Sequence, residues 1–385
     1  MKAQEKNTYD PSIDVVRFVA FFAVFIHHFV YRGGNSISGN PKTYWTWEPL
    51  DLFAFFGSEG VTIFFCLSGF LLSRILIGEI NKTGELSVRS FYMRRILRIW
   101  PLYFSFIFTC LLIAPLLGNQ AIAKSELPFL LSFSYNWQQL YIGNSRGMAA
   151  ILWSISVEEQ IYLVLPLLLL LFSRWGFTKL AVSLILFGYF SRIVFYLNDL
   201  SLYRNTFSYM STIGIGMLFA IYEVRIRNWF SKQSRIKTFV SIPLIMVYII
   251  LFKPVFSERP LLIIAFDFTA VTSILLLLIL GGNKKKQTNL FLKFLAYLGR
   301  RTYGMYMFHW PILGLMVSRG IFYNDLNGIS VQGLIFAFTF VALISIFSYR
   351  FFEKPFLDLR RNYQFIKVGC GFFGLNRDNS GFSCN

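Results

Sequence analysis

The sequence predicts an all-α integral membrane protein of about ten transmembrane helices in one bundle, with both termini cytoplasmic. Three observations carry that prediction. First, hydrophobic residues fill 55% of the 385 positions and gather into blocks such as LVLPLLLLLF and SILLLLIL, more apolar chain than a soluble domain of this size buries. Second, apolar runs of about 20 residues, enough to cross the hydrocarbon of a bilayer, recur along the chain. Third, the 37 Lys and Arg alternate from loop to loop. With a cytoplasmic N-terminus, 27 fall on the inside, eight on the outside, and two, Arg17 and Arg192, within spans. That is the positive-inside pattern. The formal charge of +18 is therefore mostly topological, some of it meeting anionic lipid headgroups, and no nucleic-acid partner is expected.

In order, the spans are expected near residues 13–30, 55–77, 101–117, 151–172, 177–197, 206–222, 239–252, 261–280, 303–317 and 331–349. The first is too long, and too polar at both ends, for a cleaved signal peptide. The second, GSEGVTIFFCLSGFLLSRIL, carries Gly57, Gly60, Ser68 and Gly69, small residues that permit close helix approach. The third follows the basic stretch FYMRRILRIWPLY, which places Arg94, Arg95 and Arg98 just before it. The segment between the third and fourth spans, 118–150, is the longest outside loop, and its aromatics and amides suit a membrane interface or a cover over a site. No internal repeat or linker divides the chain, which reads as one membrane domain over residues 1–360 and a mobile, Gly-rich cytoplasmic tail over 361–385. Four cysteines without paired spacing point to neither a disulfide framework nor a zinc site, and with only three histidines no metal cofactor is expected.

Polar residues inside apolar spans mark functional paths. Asp14, Arg17 and His28 form one stripe on the first span, because eleven residues at 100° each return to within about 20° of the same direction. His27 points elsewhere and reads as an imidazole at the outer interface. On the fourth span Ser154, Glu158 and Tyr162 recur at i, i+4 and i+8 along one face. At 1.5 Å per residue, His28 lies about 22 Å above the start of its helix and Glu158 about 10 Å below the outer start of its own. Across a core of about 30 Å the two levels nearly coincide, so Glu158 is expected to orient the His28 ring. The ninth span, TYGMYMFHWPIL, holds His309, which reads equally as a packing residue or a ligand contact. Pro311 there removes a backbone hydrogen bond and bends the helix. Arg95 and Arg98 at i, i+3 suit a nucleotide diphosphate, although positive-inside loops produce such clusters freely. Glu59 and Asp267 are acids in apolar surroundings with no evident role.

Together these segments resemble the membrane-bound acyltransferase family 3. IDVVRFVAFFAVFIHH resembles its first-helix pattern of Asp, Arg three later and His eleven beyond the Arg, and selects His28. GVTIFFCLSGFLL, RRILRIWPLY, LWSISVEEQIYLVLP, TYGMYMFHWP and SYRFFEKPF follow its other landmarks in order, over about residues 10 to 357. Thr302 stands where a Ser is common, which keeps the hydroxyl. The resemblance implies an O-acyltransferase of the bacterial cytoplasmic (inner) membrane. It takes an acyl group, most often acetyl, from cytoplasmic acetyl-coenzyme A to a hydroxyl of a lipid-linked or surface carbohydrate such as O-antigen or exopolysaccharide.

The same resemblance makes His28, Glu158 and Arg17 the catalytic residues. It groups Arg95, Arg98, Tyr162 and His309 with the coenzyme, and leaves Glu353 as a further landmark. Some relatives carry a soluble lipase-like domain, and without one any second transfer step falls to another protein. His28 then acts either as general base or as transiently acylated nucleophile. A rival class is a proton-coupled transporter or flippase using the same polar groups as a relay. Such proteins often show inverted repeats, which this sequence lacks.

Overall fold

A computed structural model describes residues 10–37, 57, 59–113, 122–143, 147–172, 176–232, 262–281, 289–319, 323–324, 328–329 and 331–363. Eight helices among these residues are long and apolar enough to cross a membrane, and the protein is an all-α, multi-pass membrane protein. The span expected at 239–252 and the tail beyond residue 363 lie outside the described residues.

Helix α1 (Pro11–Ile37) starts where the Asp10 carboxylate accepts from the backbone N–H and the hydroxyl of Ser12, at 3.1 and 2.5 Å, in the manner of a helix cap. Helix α2 (Glu59–Thr83) continues past its expected end at residue 77. Helix α3 (Val88–Leu112) begins well before residue 101, with the Ser87 hydroxyl accepting from the Ser90 N–H at 3.4 Å. Arg94, Arg95 and Arg98 therefore lie on this helix and not in a loop before it. Hydropathy alone ends the span at these charges, but the protein itself surrounds them. Arg94 is the clearest case: it donates to Glu79 at 3.4 Å and to the Tyr363 carbonyl at 2.7 Å.

The described part of segment 118–150 is folded, not an open loop. It forms a 3-10 turn (Lys124–Glu126), α4 (Leu127–Leu131) and α5 (Tyr135–Tyr141), then a 3-10 turn (Ala150–Leu152) leading into α6 (Trp153–Leu171). Of its amides, Asn136 donates to the Arg204 carbonyl at 3.0 Å and Gln139 to the Ala150 carbonyl at 2.9 Å. Gln160 donates to the Asn136 side chain at 2.8 Å and accepts from Thr206 at 2.6 Å, as buried polar groups require.

Helix α7 spans Phe177–Leu197. A 3-10 turn (Thr206–Tyr209) leads into α8 (Met210–Lys232), followed by α9 (Leu262–Gly281), α10 (Leu290–Gly299) and α11 (Thr302–Ser318). A two-residue antiparallel pair, β1 (Tyr323–Asn324) with β2 (Gly328–Ile329), precedes α12 (Val331–Ser348). A π turn (Tyr349–Glu353), α13 (Lys354–Leu359) and a 3-10 turn (Arg360–Tyr363) follow. Arg94 holds Tyr363 of that last turn against α3.

Close approach between helices depends on glycine. A Cβ on Gly69 would lie 2.7 Å from the Ile213 carbonyl oxygen, and one on Gly216 would lie 2.3 Å from that of Cys66, so α2 and α8 touch backbone to backbone. The two unexplained acids join helices. Asp267 on α9 pairs with the fully buried Arg192 of α7 at 2.8 Å and accepts from Ser211 of α8 at 2.5 Å. Glu59 accepts from Tyr203 at 2.7 Å and from Thr269 at 2.8 Å.

Candidate active site

Helix α1 carries His28 and α11 carries His309, and their packing brings the rings together. Nδ1 of His28 lies 2.8 Å from Nε2 of His309, and the rings are nearly parallel with centroids 5.1 Å apart. On the far side of His309, Nδ1 lies 2.6 Å from the Tyr306 backbone carbonyl. A carbonyl oxygen only accepts, so His309 Nδ1 carries the hydrogen, and in the neutral ring Nε2 is then an acceptor. His28 must therefore donate from Nδ1, which leaves the lone pair of neutral His28 on Nε2. The tautomers follow from this hydrogen-bond order.

Packing fixes both rings. Phe21 of α1 stands edge-on to His309 at 5.7 Å, and Trp310 stands edge-on to His28 at 4.9 Å. Trp310 is itself tied to the Gly147 carbonyl at 3.0 Å. His309 is completely buried and His28 partly so. The carbonyl that serves His309 belongs to Tyr306. The acceptor left without its i+4 donor by Pro311 would be that of Met307.

A cavity of about 300 Å³ lies next to this pair. Its lining on α2 runs from Val61 to Ile75, fourteen residues or about 21 Å of helix. Arg17, Arg95, Arg98 and Arg360 line it, against one carboxylate among the described residues, that of Glu158. Arg17 also pairs with Asp14 at 3.4 Å. The Arg95 guanidinium stacks on the Tyr162 ring at 5.0 Å. Ser154 and Tyr306 also line the cavity, and their hydroxyls are 2.7 Å apart. Neither histidine is among the lining residues. Tyr306 therefore stands between the two compartments, with its ring facing the cavity and its carbonyl holding His309.

The expected pairing of His28 with Glu158 gives way to a different arrangement. Glu158 accepts from Ser68 at 3.0 Å and from the hydroxyl of Tyr162, and His309 takes the orienting place beside His28. The level argument fails because α6 does not start at the outer surface. Ile151, Leu152 and Ser154 to Val157 are buried beneath the folded segment that precedes them. Counting one turn from His309 to Tyr306, across to Ser154 and one turn on to Glu158, the carboxylate lies about 10 Å nearer the arginines. The glycines of α2 agree. Gly60 packs on Ala20 and Val24, and Ser68, eight residues along α2, is about 12 Å further toward Asp14 and Arg17.

The structure thus gathers Arg17, Arg95, Arg98, Glu158 and Tyr162 in the cavity, and sets His309 with His28 and apart from the arginines. His27 lies at the α1–α2 contact, where its Cβ would be 2.1 Å from a Cβ on Gly57. Glu353 is buried and accepts from Ser348 at 3.2 Å. Tyr306 and Arg360 had no place in the reading of the sequence. Tyr306 could have been found from its position three residues before His309 on one helical face, whereas nothing local to Arg360 announces it.

A basic cavity separated by Tyr306 from a histidine pair, inside a helical membrane bundle, is an arrangement that suits a membrane-embedded transferase. The chain belongs to acyltransferase family 3, whose acyltransferase domain matches residues 10–349. It is 25% identical over 390 residues to the peptidoglycan O-acetyltransferase OatA of Listeria monocytogenes, covering 96% of this chain and 58% of that protein. It is 26% identical over 370 residues to the O-acetyltransferase OatA of Staphylococcus aureus, covering 90% of this chain and 57% of that protein. The chain therefore spans about three fifths of the length of the curated relatives it matches. No solved structure matches it.

Proposed function

We propose that this chain is a membrane-bound O-acetyltransferase, which moves an acetyl group from cytoplasmic acetyl-coenzyme A to a hydroxyl of a cell-surface carbohydrate at the bacterial cytoplasmic membrane. The observation that carries this reading is the alignment of the arginine-lined cavity with the tautomer-fixed His28 and His309 pair across Tyr306. Peptidoglycan, the substrate in the name of the Listeria relative, comes ahead of O-antigen or exopolysaccharide as the acceptor.

The coenzyme enters at the basic end, and its thioester extends along α2 toward Tyr306. Movement of the Tyr306 ring away from Ser154 admits the thioester to His28. Nε2 of His28 takes the proton of the acceptor hydroxyl as that oxygen attacks the thioester carbonyl. His309 accepts from Nδ1–H and supports the imidazolium that forms. Collapse of the tetrahedral intermediate forms the ester and breaks the C–S bond. The proton then passes from His28 to the departing thiolate, so no other reactant is needed.

The test is mass spectrometry of surface glycans from cells with the chain, without it, and with the His28→Ala variant. One added acetyl per modified sugar should appear only with the unaltered chain. Identical glycans in all three would overturn the reading.

A further inference from the structure

Arg360 lies beyond residue 349, where the family match ends, yet it lines the cavity beside Arg95 and Arg98. Among the described residues none of these three guanidiniums forms an ion pair with a carboxylate, and Nε of Arg95 is buried with no hydrogen-bond partner there. Among the described residues the only carboxylate in the lining, Glu158, is already engaged by Ser68 and Tyr162. Arg360 is itself partly buried beside these like charges. Burial, with Arg98 and Arg95 close by, lowers its pKa to about 10.

The fold maintains this costly arrangement. Arg94 donates to the carbonyl of Tyr363, three residues after Arg360, at 2.7 Å, and pairs with Glu79 at 3.4 Å. The turn that carries Arg360 is thereby tied to both α3 and α2. Clustered guanidiniums without carboxylates are what a polyphosphate requires, since each fork donates paired hydrogen bonds to phosphate oxygens.

We infer that Arg360 is a substrate-binding residue that completes, with Arg95 and Arg98, a site for the phosphate groups of the acyl donor, and that Arg94 is the positioning residue that holds its turn over the cavity. The inference rests on the coenzyme A reading above. Coenzyme A supplies the required chemistry through its diphosphate and ribose phosphate. An anionic lipid headgroup offers the same phosphate oxygens, so the experiment must separate the two sources.

The full chain, purified in micelles containing phosphatidylcholine, is titrated with coenzyme A by calorimetry, and the titration is repeated with phosphatidylglycerol in place of the coenzyme. Arg360→Gln should weaken coenzyme A binding roughly tenfold or more, the effect of losing a charged hydrogen-bonding partner. Arg89→Gln, the same charge change at an exposed site on α3, should leave it unaltered. Arg94→Gln should weaken it less than Arg360→Gln.

A second measurement needs no variant. Coenzyme A should protect Arg360 of the unaltered protein from phenylglyoxal, read by peptide mass spectrometry. Coenzyme A binding that is equal in Arg360→Gln and the unaltered chain, with Arg360 labelled regardless of coenzyme, overturns the inference and leaves the proposed function standing. A variant that loses only phosphatidylglycerol also overturns it, by assigning Arg360 to lipid. If the unaltered protein binds no coenzyme A, both the inference and the donor reading fail.

Discussion

Nδ1 of His28 on α1 donates across 2.8 Å to Nε2 of His309 on α11, and the carbonyl of Tyr306 fixes the direction of that donation. Two residues 281 positions apart in the chain are thus joined by one hydrogen bond, and in the proposed mechanism they act as one base. The hydrogen-bond order leaves the lone pair of a neutral His28 on Nε2, and His309 sets the orientation of that ring.

Replacing His28 with Ala should lower acetyl transfer by about 10² to 10⁴, the usual contribution of a general base, while membrane insertion is unaffected. His27→Ala should retain most activity, because that side chain packs at the α1–α2 contact. Glycan acetylation normalised to protein amount in the membrane checks both. Equal losses in the two variants would discard the assignment of His28.

His309→Phe keeps a flat ring against Phe21 but removes the acceptor for His28 Nδ1. Transfer should drop at least tenfold with little change in KM for acetyl-coenzyme A, since His309 does not line the cavity. Steady-state kinetics in proteoliposomes separate kcat from KM. A rise in KM alone would place His309 with the coenzyme, as the resemblance first grouped it.

Transfer should increase with pH on the acid side and then level off, because an imidazolium has no lone pair to accept the hydroxyl proton. With two rings sharing a hydrogen bond, the midpoint belongs to the pair and not to either histidine. A pH profile of single-turnover transfer reads it. A rate that is flat through the acid range would show that neither ring exchanges a proton in the slow step.

Tyr306→Phe deletes the hydroxyl that bonds Ser154 at 2.7 Å and leaves the carbonyl that holds His309. The hydroxyl also donates to the Ile151 carbonyl at 3.2 Å, and the loss of these two buried hydrogen bonds should cost about 1–3 kcal/mol in stability. If Tyr306 separates cavity from histidines, water should reach the thioester more easily, and hydrolysis of acetyl-coenzyme A without acceptor should rise. Thiol release in the absence of glycan measures this. No increase over the unaltered protein would count against a barrier at this position.

Asp267→Ala leaves the fully buried Arg192 without its carboxylate. Breaking such a pair from one side costs about 3–5 kcal/mol, so the thermal midpoint in detergent should fall clearly. KM for acetyl-coenzyme A should hold in the protein that remains folded, because neither residue lines the cavity.

The sequence by itself determined the class of fold, through apolar runs long enough for a bilayer and basic residues that alternate from loop to loop. It also determined which polar residues share a face on each helix, since 100° per residue fixes a face from local order alone. Arg17 and Glu158 were legible in that way. Which faces meet was not. Glu158 reads as a partner of His28 when every helix is assumed to start at a membrane surface. The buried entry to α6, beneath the folded segment before it, shifts that carboxylate about 10 Å toward the arginines. The acids at 59 and 267 were conspicuous for the same reason, because their partners Tyr203, Thr269 and Arg192 come from distant parts of the chain. Only tertiary structure could pair His28 with His309 and bring Arg360 to Arg95. Those contacts depend on how helices distant in sequence pack against one another, and periodicity within a single helix carries no information about its neighbour.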